Sequence, residues 1–393
     1  MPETLEIVEL RSKYVHAFRE STGKLETLFP GLTGFTSIHV GEPKPDNTPT
    51  EGMAKFLEMV MLDGEQTKEI AGLYRKGVLT INQLATMLNR DVIDVFRGLA
   101  SSPDFGIYSA PHDRKTAMAV SEALTRSTRL IADVTAVLTL HWLGLAEAVT
   151  DAFGRIAVTQ STVDLLHQNL EGYRFAREGF GLIGVTDGRL TFTQVSAEEV
   201  SRISEEVGAV LRWLAESAEI LPCNPRLALR RGQAHELAQA LGRSFADTAL
   251  VAAERGYVLF SDDLRFRWYA SRLFGIGGVW SQAVLQRCAM MKHLNTEDFS
   301  KAVVELVRRS YRYTWVSCDE LVESARQCEW GIEEPFVSTV KVFKDYTVPS
   351  ACKVTAEFLK TLYAEPVPGR RSLIIQAVLD YLTRNHEPMI ILT

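Results

Sequence analysis

The amino-acid sequence predicts an α/β protein in which a parallel sheet carries helices on both faces, with mainly helical N- and C-terminal regions flanking it. From Arg129 onward, short apolar runs rich in β-branched residues alternate with stretches of helical periodicity, the pattern of strand–helix–strand units. Outside this central region, apolar residues recur at helical spacing without that alternation. With 393 residues, of which 46% are hydrophobic and 23% charged, the chain can bury a substantial core in more than one domain.

Residues 1–126 are predicted to form a helical N-terminal module. It includes a short strand in GLTGFTSIHV and a proline-rich loop from Gly41 to Gly52. At 79–100, apolar residues recur at helical spacing over two helices that break near Asn89, an arrangement that resembles a helix-turn-helix. The second helix carries two aspartates against two arginines, a poor balance for contact with phosphates. Packing, or docking of a partner, is therefore favoured over DNA binding.

The sheet domain is predicted at 127–325, followed by a helical C-terminal extension at 326–393. The apolar strand LIAD leads into a helix, and a second strand, IAVT, is followed by another helix. An insertion at about 171–232 holds a hairpin, with its turn at Asp187-Gly188, and then a long amphipathic helix. The segment SFADTALVAAERGYVLFSDD predicts a helix, a glycine turn and a strand that ends in acids. A further strand is predicted at 311–317.

The net charge of −6 excludes a protein that holds nucleic acid by bulk positive charge, so any such contact needs local basic patches. The candidate nucleic-acid-binding residues are Arg265, Arg267, Arg230 and Arg231. Aromatic neighbours such as Trp268 and Tyr269 could stack on bases. Solvated helix faces and packed interiors use the same residue types, so that interpretation stays open beside the functional one.

Aspartates stand where the predicted strands end, the side of an open parallel sheet on which sites form. Asp133 closes LIAD, Asp262 and Asp263 close YVLFSDD, and Asp247 opens the helix ADTALVAAERG. Singly, these residues have structural explanations as helix caps or turn residues. Gathered at one edge, they would repel each other unless a divalent cation that prefers oxygen ligands, such as Mg²⁺ or Mn²⁺, neutralised them. The sequence therefore predicts a metal site formed by Asp133, Asp247, Asp263 and Asp262.

Two segments resemble PIN-type metal-dependent nuclease domains. LIADVTAVLTLHWLGL is similar to the first strand and helix of that family, with Asp133 at its first acid. FADTALVAAERGYVLFSDDLRFR is similar to its closing motifs, with Asp247 at the third acid and Asp263 at the fourth. The resemblance implies a PIN-like fold and a hydrolase that cleaves phosphodiester bonds with Mg²⁺ or Mn²⁺, as a ribonuclease in preference to a deoxyribonuclease. Because PIN domains occur in toxin–antitoxin modules, RNA processing and DNA repair, it also suggests a regulated toxin or an antiviral defence effector.

The sequence departs from the PIN pattern at the second acid. The family places a Glu on the helix after the second strand, and the matching position here is near Leu165. Asp164, one residue earlier, is the candidate replacement, and Glu171 is a poorer one. The predicted catalytic set is therefore Asp133, Asp164, Asp247 and Asp263. The missing Glu keeps two alternatives open, namely a catalytically silent PIN-like scaffold that binds a protein partner and a DNA-binding regulator that uses 79–100.

The expected location is the cytoplasm, without contact with a membrane. The N-terminus has no basic segment followed by an apolar one, as a secretory signal would, and no apolar run approaches the ~18–20 residues that span a bilayer. The five cysteines have no CxxC spacing, which argues against a zinc site or a disulfide framework. The expected partners are a nucleic-acid substrate and either a protein partner or a second copy of the chain.

Overall fold

The computed structural model describes residues 64–385, except 126, 176–178, 187–188 and 366–368. The strands are β1 (Ile107–Tyr108), β2 (Leu130–Ala132), β3 (Ala157–Thr159), β4 (Phe180–Thr186), β5 (Arg189–Val195), β6 (Glu219–Leu221), β7 (Val258–Phe260), β8 (Gly278–Val279) and β9 (Tyr311–Arg312). After a helical segment at 64–75, the first numbered helices are α1 (Ile81–Met87), α2 (Val92–Ala100), α3 (Arg114–Ala123), α4 (Val134–Leu143), α5 (Ala146–Phe153), α6 (Gln160–Phe175), α7 (Ala197–Ser217) and α8 (Pro225–Ala228). They are followed by α9 (Arg231–Leu241), α10 (Arg243–Arg255), α11 (Leu264–Phe274), α12 (Ser281–Met290), α13 (Thr296–Arg308), α14 (Cys318–Gln327), α15 (Phe336–Lys341), α16 (Val348–Ala364) and α17 (Arg371–Asn385).

The central sheet has five parallel strands in the order β6-β3-β2-β7-β8. The middle strand, β2, pairs through Ile131 with Ala157 of β3 and Leu259 of β7, and these three side chains have no exposed surface. Helices connect the strands, as parallel pairing requires. These observations confirm the predicted α/β fold with a parallel sheet.

The turn from β2 into α4 fixes the first acidic position. Asp133 follows β2 directly and caps α4, accepting hydrogen bonds from the backbone N–H groups of Thr135 and Ala136, both at 3.0 Å. From Val134 to Leu140 every residue of α4 is buried, so the helix has no polar face. This burial explains why the sequence reads as one apolar run across both the strand and the helix.

The N-terminal helices α1 and α2 share their hydrophobic core with the sheet. They are separated at Asn89, which has a positive φ of 49°, and they bury Ile81, Ile93 and Phe96 completely in this core. Asp94 of α2 accepts a hydrogen bond from the hydroxyl of Tyr173 at 2.7 Å. Asp94 is thus engaged within the chain.

The C-terminal helices pack around a second hydrophobic core, which includes Phe336, Phe343 and Phe358, all fully buried. The strand predicted at 311–317 is wrong in length, because β9 ends at Arg312. Tyr313, the next residue, has a φ of 59°, a left-handed conformation that no extended strand contains.

The inserted region has the predicted order of elements. Strands β4 and β5 form a two-stranded sheet of their own, and the long helix α7 follows. The predicted turn at Asp187-Gly188 lies outside the described residues, as do the predicted strand and proline-rich loop in the first 52 residues. Among the helices that the structure does describe, none combines the length and the apolar character needed to cross a bilayer.

Candidate active site

Three of the predicted acids come together where β2 and β7 end. Asp133 follows β2, and Ser261, Asp262 and Asp263 follow β7. Because β2 and β7 are neighbouring parallel strands, their carboxyl ends meet at one edge of the sheet. The Thr135 hydroxyl joins the two turns, since it donates to Asp133 at 2.6 Å and accepts from the backbone N–H of Asp262 at 2.9 Å. We refer to Asp133, Asp262 and Asp263 as the carboxylate cluster.

One carboxylate oxygen of Asp133, Oδ2, meets no donor in hydrogen-bond geometry among the described residues, although the hydroxyl of Ser261 is close enough to act on the carboxyl. Oδ1 accepts from the backbone and hydroxyl of Thr135 and from the backbone of Ala136. Oδ2 is buried and receives no hydrogen bond from the described residues. Burial raises the pKa of this carboxyl to about 7, against the opposing influence of the hydroxyls of Ser261 and Thr135. A carboxyl group of this kind can exchange a proton near neutral pH.

Asp262 and Asp263 use both of their oxygens on protein donors. Asp262 accepts from the backbone N–H of Ser281 at 2.8 Å and from its hydroxyl at 2.6 Å, which ties β7 to the start of α12. Asp263 accepts from the backbone N–H of Phe266 at 2.9 Å, capping α11, and from that of Ile81 at 2.6 Å. Burial raises the pKa of both carboxyls.

Arg267 supplies a buried positive charge beside the carboxylate cluster. Its guanidinium donates to the backbone carbonyls of Ser261 and Ser109 and lies 5.2 Å from the ring centre of Trp280. Burial lowers its pKa to about 10, while the three aspartates of the cluster act in the opposite direction. Its stem lies so close to Gly278 that a Cβ there would stand 2.8 Å from the Arg267 Cδ. A side chain enclosed in this way is not placed to contact a nucleic acid in this conformation.

Asp247 forms an ion pair, and no described contact joins it to the carboxylate cluster. It lies in the second turn of α10, which begins at Arg243, so it does not begin the helix as the sequence suggested. Its Oδ1 stands 3.0 Å from Nη1 of Arg226, and its Oδ2 stands 3.9 Å from Nε of Arg243. Asp247 is only 3% exposed, so Arg226 balances its charge in a nearly dry setting.

Asp164 stands on the partly exposed side of α6. Its Oδ1 accepts a hydrogen bond from the side chain of Gln160, one turn earlier on the same helix, at 2.9 Å. It lines a small cavity of about 100 Å³, together with Asn82, Leu165 and Arg243. The side chain therefore points into a crevice between α6, α1 and the start of α10, and no described contact joins it to the carboxylate cluster.

The N-terminal helices cover the acidic edge of the sheet. The backbone N–H of Ile81, the first residue of α1, donates to Asp263 across 182 positions of sequence. Asn82 lies against Gly242, where any Cβ would come within 2.5 Å of the Asn82 side chain. Gly242 also has a φ of +86°, so this turn before α10 requires glycine on both counts. Residues 80–82, which we term the N-terminal strap, thus contact both Asp263 and the turn before α10.

In this conformation the acids do not fit a divalent cation. Among the residues that the structure describes, no three His, Cys, Asp or Glu side chains are arranged to hold a metal ion. Asp262 and Asp263 are saturated by donors, and Asp247 is paired with Arg226. Among these four acids, Asp133 alone has a buried oxygen, Oδ2, without a hydrogen bond to a described residue.

The raised pKa of Asp133 predicts a specific dependence of stability on pH. The folded chain holds this proton up to about pH 7, whereas an unfolded chain releases it near the ordinary value of 3.8. Between about pH 3.8 and pH 7 the folded state thus binds more protons than the unfolded state. The free energy of unfolding should therefore fall as pH rises through this range, by on the order of 4 kcal/mol. Asp133→Asn, which mimics the protonated acid and can still cap α4, should remove this contribution. Urea unfolding across the window tests this, and identical pH profiles for both proteins would show that Asp133 does not titrate there.

Several residues around the cluster could not be identified from sequence patterns. The spacing Thr80-x-x-Gln83 is a capping-box signature that marks the start of α1, and both reciprocal hydrogen bonds are present. Nothing in the sequence indicates that this helix start faces Asp263. The roles of Arg226 as the partner of Asp247, and of Ser281 as the partner of Asp262, likewise depend on tertiary structure.

The other predicted nucleic-acid contacts are on or near the surface. Arg230 and Arg231 are exposed at the start of α9, and Arg265 is half-buried in α11. In α11 the guanidinium of Arg265 lies 4.3 Å from the ring centre of Trp268. Three of the four predicted arginines are therefore at least partly accessible to solvent, whereas the fourth, Arg267, is buried.

Residues 131–272 match the family model of the PIN domain associated with the TPR-GreAB-C-PIN system. No curated protein and no solved structure matched the chain. The matched range begins within β2 and ends within α11, so it includes Asp133, Asp247 and the Asp262–Asp263 pair. The chain therefore contains a PIN domain, with helical regions on both sides of it.

Proposed function

We propose that the PIN domain of this chain hydrolyses phosphodiester bonds of nucleic acid, with RNA as the favoured substrate, and that the N-terminal strap regulates access to its centre. PIN domains are generally nucleases, and the resemblance of the motifs puts aspartates at three of the four acidic positions of the family. Asp133, Asp247 and Asp263 are those three, and Asp164 is the candidate for the fourth.

The observation that carries the proposal is the free Oδ2 of Asp133. It is buried, makes no hydrogen bond of ordinary geometry to a described residue, and belongs to a carboxyl whose pKa burial raises to about 7 even with the Ser261 hydroxyl nearby. An oxygen with this character can take a proton from an attacking water molecule, because a general base works best when its pKa lies near the working pH. Both carboxylate oxygens of Asp262 and of Asp263 accept structural hydrogen bonds. Asp133 is therefore the acid of the cluster that we propose as the proton acceptor.

Substrate access requires the strap to move. Asp133, Asp262, Asp263 and Asp247 are each at most 3% exposed, which leaves no room for a phosphate beside them. The hydrogen bond from Ile81 to Asp263 is the direct link between strap and centre. In the proposal, loss of this bond frees Oδ2 of Asp263 and uncovers the edge of the sheet.

The proposed hydrolysis includes a requirement for a divalent metal ion, which can be measured directly. PIN domains typically use divalent metal ions, and the candidate ligands for Mg²⁺ or Mn²⁺ are Asp133, Asp247, Asp262 and Asp263. In the closed arrangement these four aspartates do not fit such an ion. The roles assigned to this chain are proton transfer at Asp133 and opening at the strap.

A catalytically silent scaffold is the second candidate, favoured by the ion pair between Asp247 and Arg226. In such a protein the former metal site would be replaced by internal charge pairing, and Leu165 at the position of the usual Glu agrees with that. The helical regions on either side would then bind a protein partner.

Calorimetric titration with MnCl₂ separates the two candidates. For a nuclease we expect Ile81→Pro, which removes the hydrogen bond from the strap to Asp263, to bind Mn²⁺ with a heat that is lost when Asp133→Asn is added. The heat should be kept when Asp151→Asn, which changes an exposed acid on α5, is added instead. A silent scaffold should give no binding that depends on Asp133. If a fluorescent single-stranded RNA is also left uncleaved in Mn²⁺ by both the wild-type protein and Ile81→Pro, the proposal of nuclease activity fails.

A further inference from the structure

A cavity outside the matched PIN range combines aromatic walls with carboxylates. Its volume is about 440 Å³, within the range of ~300–1,000 Å³ that is usual for small-molecule sites. Three segments that are distant in the sequence form it, namely the turn before α3, the residues after β9 and the turn before α16. Its aromatic walls include Tyr313, Trp315 and Tyr346, and its acids are Asp113 and Asp345. We call it the aromatic cavity.

Contacts behind the aromatic cavity hold its rings in place. The Tyr346 hydroxyl donates to the backbone carbonyl of Val316 at 2.8 Å. The side-chain amide of Gln282 accepts from the backbone N–H of Trp315 at 3.0 Å and donates to its carbonyl at 2.6 Å. The Trp315 ring also meets the buried ring of Trp280 edge-on, with 6.4 Å between ring centres. The walls are therefore preorganised, which lowers the entropy cost of binding a ligand.

Tyr313 contributes to the wall from a strained backbone. Its φ is 59°, in the left-handed region that bulky side chains rarely adopt. Its ring lies against that of His112, with 5.0 Å between ring centres. Such strained conformations persist only where the surrounding contacts over-determine them, and they cluster at ligand sites and other functional positions. The strain at Tyr313 therefore agrees with a cavity that has a binding role.

Asp345 brings a carboxylate without a direct partner to the aromatic cavity. It is partly buried, and burial raises the pKa of this carboxyl above its ordinary value. Lys344, Arg312 and His112 oppose this shift through their charge, yet no hydrogen bond or ion pair joins the Asp345 carboxylate to a described residue. Arg312 donates to two backbone carbonyls instead. A carboxylate that is partly withdrawn from water and lacks a partner favours a cation as its ligand.

From this arrangement we infer that the aromatic cavity binds a small organic cation, with a methylated ammonium group between its rings and beside Asp345. The faces of aromatic rings carry negative partial charge and attract cations, and Trp attracts them most strongly. A quaternary ammonium group has no N–H groups that need acceptors, so walls made of rings suit it better than they suit a hydrated primary ammonium. Every described lining residue lies outside residues 131–272, so this site is separate from the proposed nuclease centre.

Isothermal titration calorimetry of the full chain with choline chloride tests the inference. We expect choline to bind with a dissociation constant of ~1 mM or tighter. Its neutral isostere, dimethylbutanol, has a tert-butyl group in place of the ammonium and should bind about tenfold more weakly or not at all. Trp315→Ala and Asp345→Asn should each weaken choline binding by about tenfold, whereas Trp315→Phe should keep most of the affinity because it keeps a ring.

The matched control is Tyr363→Ala, which removes a ring that is 64% exposed on α16, the helix that begins beside the aromatic cavity. Choline binding should be unchanged in this variant. No choline binding at about 10 mM, equal affinity for choline and its isostere, or unchanged affinity in Asp345→Asn and in a folded Trp315→Ala would each overturn the inference. Tighter binding of spermidine than of choline would overturn the preference for a methylated ammonium group. Urea unfolding curves establish which variants are folded.

Discussion

Substitution of Asp133 by Asn should lower the rate of RNA cleavage by about 10²-fold or more. Asn retains an oxygen that can accept the capping hydrogen bonds of Thr135 and Ala136, so α4 should still begin at the same residue. What it removes is the buried Oδ2, the oxygen able to receive a proton. Loss of a positioned general base typically costs 10²–10⁴-fold in rate. Cleavage of a fluorescent RNA over time in Mn²⁺ measures the effect.

The control for this substitution is Asp151→Asn, which removes an exposed carboxylate within the matched PIN range. We expect its rate to equal that of the wild type. Asp164→Asn adds a further test, because a fall in its rate of similar size would assign Asp164 the role of the absent Glu. If Asp133→Asn cleaves as fast as the wild type while remaining folded, the PIN centre is not the source of the activity.

Substitution of Ile81 by Pro should raise the rate of cleavage by about tenfold or more. Ile81 is the first residue of α1, where proline is well tolerated, and Thr80 before it is extended, with a φ of −73° and a ψ of 162°, as the residue before a proline prefers. The substitution removes the N–H that donates to Asp263. A hydrogen bond to a charged group contributes about 1.5–3 kcal/mol. If that bond keeps the strap closed, the open form should gain about one order of magnitude in population.

Because Ile81 is fully buried, proline also removes apolar contacts from the core. Ile81→Ala is the matched control, since it loses most of the side chain but keeps the N–H. The prediction concerns the difference between the two variants, namely a faster rate for Ile81→Pro than for Ile81→Ala under equal conditions. Equal rates in both would mean that the hydrogen bond from the strap does not limit access to the centre.

The fold was predictable because its strands carry their own local signals. The apolar run before Asp133 and the alternation of helices with short β-branched runs are properties of neighbouring residues, and β2, β3 and β7 lie where these signals placed them. The predicted strand at 311–317 failed for a local reason as well. Tyr and Trp favour strands on average, but the positive φ of Tyr313 ends β9 after two residues.

The candidate site was predictable only in part, because its chemistry depends on contacts between distant segments. The approach of Asp133 to Asp262 and Asp263 follows from the rule that neighbouring parallel strands end at one edge. The hydrogen bond between Ile81 and Asp263, and the ion pair between Arg226 and Asp247, join segments whose sequences carry no sign of each other. Such contacts between distant segments decide whether a carboxylate oxygen is free to take part in catalysis. Residue type and spacing in the sequence do not indicate these contacts.

The most direct test of this account is RNA cleavage by Ile81→Pro with and without Asp133→Asn in the same chain. We expect Ile81→Pro to cleave single-stranded RNA faster than both the wild type and Ile81→Ala. The double variant should show no cleavage above the background. Cleavage by the double variant at the rate of Ile81→Pro, or no cleavage by any of the four proteins, would contradict a PIN nuclease centre built on Asp133 and closed by the N-terminal strap.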